Sequence, residues 1–139
     1  MFSVIIVPFF VAWVTIIIVS IRNEEPAGES TLAGLSAAVE RALWNGDDGE
    51  LSRLVDAGGA GEDYAKNYLE RLGRAHPREI RATVFRSGDD STIAAVAEMA
   101  DGTTVCSTWS AMRTGGRWVL DAAPAVSPGR VCDAAGSDR

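Results

Sequence analysis

The chain has 139 residues, a formal charge of −6, one histidine and two cysteines. That length holds a single small domain and one core. The acidity excludes nucleic acid and anionic lipid as charge-matched partners, because neither would gain counterion release or attraction.

The first element is apolar. Met1–Ile21, MFSVIIVPFFVAWVTIIIVSI, carries no charged side chain, and all 32 charged residues fall in the 118 that follow. At about 1.5 Å rise per residue, 21 residues reach roughly 30 Å, the thickness of a hydrocarbon core. Pro8 falls within the first two turns, where a kink is tolerated in a bilayer. A cleaved signal would need a basic start and a small-x-small site; Val19-Ser20-Ile21 offers none. Lipoprotein anchoring would need a cysteine just after the run, and the first is Cys106. Residues 1–21 are therefore expected to be an uncleaved transmembrane signal anchor. Arg22 alone favours a cytoplasmic domain under the positive-inside rule. The even cysteine count favours the outside, where disulfides persist. The expected location is the cell membrane, single-pass, with the C-terminal domain extracytoplasmic.

Residues 22–30, RNEEPAGES, read as a polar linker. The domain is expected over 31–123. Leu32, Leu35, Val39 and Leu43 repeat at three- and four-residue spacing, which predicts a helix over about 31–45, capped by Ser30 or Thr31 and ended by Asn45-Gly46. Asp47 and Glu50 have capping-box spacing, opening a short helix with Leu51, Leu54 and Val55. After the Ala57–Gly61 break, a third helix over about 62–74 carries Tyr64, Tyr68, Leu69 and Leu72.

Strands follow Pro77: Glu79–Ser87, Ser91–Ala100, Thr103–Arg113 and Arg117–Ala122. Gly88-Asp89-Asp90, Asp101-Gly102 and Gly115-Gly116 join them as hairpin turns. The fold class is α+β, with three helices on a curved, cone-like antiparallel sheet of four strands. Residues 124–139 are expected to be a tail without structure past Cys132. A Cys106–Cys132 bridge would close about 25 residues and pin that tail across the third strand.

Three helices and then a curled meander resemble the nuclear transport factor 2-like superfamily. The likeness rests on ALWNGDDGELSRLV (Ala42–Val55), the paired tyrosines of the third helix, and GGRWVLD (Gly115–Asp121). One span plus one such domain is similar to Mce-associated envelope proteins and to inner-membrane subunits of type IV secretion and conjugation. Those families imply protein–protein assembly, with envelope proteins or further copies of the chain as partners. Enzymes on the fold imply the alternative, a cone cavity that binds or transforms a small molecule. Ketosteroid isomerase-like sites pair an Asp base with a Tyr and a second acid. On this chain Tyr64, Tyr68, Asp56, Glu98 and Asp121 are the residues available for that chemistry.

Other chemistry finds little footing. Tyr64 and Tyr68 sit at helical spacing, which suits rings that cover the sheet. Glu98 falls on the strand face opposite Met99. His76 lacks metal-ligand partners nearby and reads as a helix-end residue. There is no G-x-S-x-G, no phosphate loop and no cofactor motif. Arg78, Arg81, Arg86, Arg113 and Arg117 read as a solvated face. The expectation is a membrane-anchored, non-catalytic assembly or binding module, oligomeric through its sheet, with no cofactor and no metal.

Overall fold

The computed structural model describes residues 26–56, 63–124 and 128–137. The expected span and Arg22 lie outside them. Among the described residues, no helix is long and apolar enough to cross a membrane.

Helix α1 (Leu32–Asn45) begins where Thr31 accepts a hydrogen bond from the Gly34 N–H at 2.9 Å. Its apolar stripe is the one the spacing predicts: Leu32, Leu35, Val39 and Leu43 are all buried. It stops at Gly46, which adopts φ 64°, a left-handed conformation that favours glycine. Helix α2 (Asp48–Leu54) is capped by Asp47, which accepts from the Glu50 N–H at 3.0 Å. Glu50 does not return the favour of a capping box, because Arg53 and Arg41 take its carboxylate. Helix α3 (Tyr64–Arg74) starts two residues later than expected and buries Ala65, Leu69 and Leu72. His76 follows it at φ 53°, donating its N–H to the Gly73 carbonyl at 3.2 Å, so it does serve the helix end.

The sheet is an antiparallel meander, β1 (Pro77–Ser87), β2 (Asp90–Met99), β3 (Thr104–Thr114) and β4 (Arg117–Pro124), in that order. Ile93, Ala95, Ala97 and Met99 of β2 turn toward the helices and are buried. The register sets Ile80 and Val105 opposite Ala97, and Val84 and Trp109 opposite Ile93, on that same face. Leu35, Val39, Leu51, Leu54, Ile93 and Leu120 form the fully buried centre. Truncating such a leucine to alanine costs about 2–5 kcal/mol. The ladder slips between Trp109 and Ser110, an irregularity of the kind that bends and twists a strand.

Two expectations are corrected. Residues past Cys132 are not an unstructured tail, for helix α4 (Pro128–Ser137) runs through the cysteine. Proline suits the first turn of a helix, and the Cys106–Cys132 bridge ties this short one to the sheet, where it packs on β2 and β3. Ala94, on the face away from the main core, is fully buried as well. The second correction concerns the linker. Pro26–Glu29 belongs to the fold: Glu29 and Trp118 exchange N–H···O bonds of 2.9 and 2.7 Å along the edge of β4. Gly28 has φ 76°, and a Cβ there would stand 2.3 Å from the Trp118 carbonyl oxygen. Arg53 donates to the Pro26 and Gly28 carbonyls at 2.9 and 2.7 Å, and Arg117 to those of Ala27 and Gly28 at 3.1 and 2.8 Å.

Candidate functional site

The helix-facing side of the sheet holds a cluster of aromatic rings. Tyr64 and Tyr68 share one face of α3, with ring centroids 6.3 Å apart. Tyr68 meets Trp109 of β3 edge-to-face at 5.4 Å. Trp109 is 2 % exposed, and the two tyrosine rings, each partly buried, pack around it between α3 and the sheet. Each ring's polar atom makes one bond within the cluster or to the sheet, and the Tyr64 hydroxyl is there an acceptor only. The Trp109 indole donates to the Tyr64 hydroxyl at 2.6 Å, and the Tyr68 hydroxyl donates to Ser107 Oγ at 2.7 Å. Burial raises the Tyr68 pKa, and the bond to Ser107 opposes that shift.

The carboxylates named from the sequence do not join this cluster. Asp56 follows α2 at the β4 edge, where its backbone N–H donates to the Leu120 carbonyl at 2.8 Å. The register places Glu98 beside Glu79 and Thr104, on the face of Ala94 and Val96. Asp121 pairs with Ser110, one residue out of phase with the inward Ala111 and Leu120. Two strand carboxylates are thus on the far face, as the period of two requires. Among the described residues no carboxylate is buried, and Ser36 is the sole buried polar side chain. No group of three or more His, Cys, Asp or Glu side chains among them is placed to hold a metal ion. Both cysteines are in the bridge.

Residues that the sequence reading did not name carry much of the polar architecture. Trp109 and Ser107 receive the tyrosines, and strand alternation with Val105 was the available signal. Arg53 is held by Glu29 at 2.7 Å and Glu50 at 2.8 Å, with its side chain only 14 % exposed. That arrangement raises the pKa of Arg53 and lowers that of Glu50, in each case chiefly through the hydrogen bond between them. Of the arginines expected on a solvated face, Arg117 instead clamps Ala27 and Gly28, and Arg113 lies 5.5 Å over the Trp118 ring.

Hollows at the surface of the described residues include a pair that bear on function. One, of about 710 Å³, runs between α1 and the free edge of β1 and includes Ala37, Trp44, Ile80 and Val84. Within it α1 meets the strand edge directly: Ser36 donates to the Ala82 carbonyl and Glu40 accepts from the Ala82 N–H, both at 2.9 Å. The other hollow, of about 260 Å³, lies between the end of α3 and the β2–β3 hairpin.

No protein family and no curated protein matches the chain. Among solved structures, it is similar to a protein described as an NTF2-like transpeptidase from Campylobacter jejuni. The identity is 14 % and the TM-score 0.39, over 58 % of this chain and 87 % of that one.

Proposed function

We propose that the chain is a membrane-tethered, non-catalytic binding or assembly module of the cell envelope, with its domain outside the cytoplasm and built on a nuclear transport factor 2-like plan. The observation that carries the non-catalytic reading is a pair of phenols with no buried carboxylate beside them among the described residues. Acid–base work on a cone-shaped fold needs a carboxylate beside a phenol in a cavity open to substrate. Here the Tyr68 hydroxyl donates to Ser107, the Tyr64 hydroxyl accepts from Trp109, and no described carboxylate is buried beside either phenol. The tether rests on the uncharged Met1–Ile21, and the outside location on the Cys106–Cys132 bridge, which persists in an oxidising compartment. Pro26–Glu29 is locked to the domain, so residues 22–25 are what separates it from the tether.

Thiol trapping in intact cells tests the location. Alkylation before lysis is expected to leave Cys106 and Cys132 unlabelled until a reductant is added. A reporter active only outside the cytoplasm, fused after Arg139, is expected to score positive. Two thiols labelled without reductant, together with a silent reporter, overturn the extracytoplasmic reading.

A further inference from the structure

The smaller hollow has the chemistry of a binding site. Leu72, Met99, Val105 and the Tyr68 ring supply apolar wall, and Val105 is 45 % exposed at its mouth. A valine so exposed on a strand leaves apolar surface in water that an apolar ligand would cover. The polar groups here are donors. Arg71 stands on the rim, and its one described bond is to the Asn67 carbonyl of its own helix, at a long 3.3 Å. Among the described residues Arg71 makes no ion pair. Ser107 accepts from Tyr68, which leaves its own O–H without an acceptor among those residues. No acidic side chain lines the hollow. A cation and a hydroxyl donor beside an apolar wall call for a ligand with a negative acceptor at one end and hydrocarbon at the other. The volume, about 260 Å³, corresponds to about nine waters.

We propose that this hollow binds a small organic monoanion, a carboxylate on a short apolar tail. Arg71 and Ser107 hold the head, and Leu72, Met99 and Val105 cover the tail. This site is independent of where the domain resides, and it requires no chemistry at the bound molecule.

Methyl-labelled full chain in phospholipid nanodiscs tests it, with hexanoate, 1-hexanol and hexylamine as probes. Hexanoate is expected to shift the Met99, Val105 and Leu72 methyl resonances saturably, with a Kd of about 1–10 mM for so few atoms. Hexanol is expected to bind about 5- to 10-fold more weakly and hexylamine more weakly still, since one charge-assisted contact is worth about that factor. Arg71→Gln should bring hexanoate down to the level of hexanol without altering the other methyl resonances. Val105→Phe should fill the hollow and abolish all three responses. The proposal is overturned if hexanoate gives no saturable shift, if hexylamine matches it, or if Arg71→Gln leaves the preference for the acid intact.

Discussion

At Tyr68 the ring and the hydroxyl have separable roles. The ring packs against Trp109, while the hydroxyl makes one bond to Ser107. Tyr68→Phe is expected to cost about 1 kcal/mol, the net worth of one hydrogen bond. Tyr68→Ala should cost about 3 kcal/mol or more, as loss of a buried aromatic does. Chemical denaturation of both variants, beside an in vivo complementation assay, checks this. Should Tyr64→Phe or Tyr68→Phe abolish function with stability unchanged, the hydroxyls have a chemical task and the non-catalytic reading falls. The tyrosine pair was legible from the sequence because helical spacing brings i and i+4 to one face. Its partners were not, since which strand residue meets Tyr64 depends on where α3 crosses the sheet. Asp56, Glu98 and Asp121 were candidates by type alone. Strand alternation already held the argument against Glu98, and the same argument applies to Asp121 once β4 is placed in register.

Among the elements, helices and strands were legible because local signals agree. The stripe of α1, the Asp47 cap and the Gly-containing hairpin turns each point to the boundary that is found. What escaped were elements held by distant partners. Pro26–Glu29 has the composition of a linker, and only Arg53 and Arg117, remote in sequence, make it structure. Helix α4 is short, with a glycine in its first turn and another near its end, and it depends on the bridge and the sheet beneath. A third such case is the free edge of β1. An edge strand offers unpaired backbone groups to other chains, and α1 covers one pair of them at Ala82 with Ser36 and Glu40. Replacing both by alanine should cost about 1–3 kcal/mol and open that edge to pairing. Sedimentation velocity is expected to show concentration-dependent association in the double variant beyond that of the wild type. An unchanged profile would mean that α1 merely packs there.

For the whole molecule, the Glu29–Arg53–Glu50 network joins the N-terminal segment, α2 and the β4 edge into one unit. Glu50 has a folded pKa below its unfolded value, chiefly because of Arg53. Its contribution to stability is therefore complete above the unfolded carboxylate pKa and is lost as pH falls through the folded one. Wild-type stability should decline below about pH 4.5, and Glu50→Gln should be less stable at neutral pH with a flatter decline. Denaturation series from pH 3 to 7 would show this; parallel curves for the two proteins would remove Glu50 from the acid response. The network itself was invisible in the sequence, where Arg53 is one of twelve arginines.

The bridge between Cys106 and Cys132 also has a mechanical meaning. It closes a covalent ring that contains most of β3, all of β4 and the start of α4, with its cysteines 26 positions apart. A pull applied between the two ends of the chain passes through the sulfur atoms and bypasses that ring. The oxidised protein should consequently lengthen by about 85 Å less than the reduced one when stretched to full extension, at about 3.5 Å for each residue withheld and about 6 Å spanned by the bridge. Single-molecule stretching with and without reductant would read that difference directly. The β3–β4 hairpin, which carries the Trp118 contact to the N-terminal segment, would stay looped while the rest of the chain is drawn out.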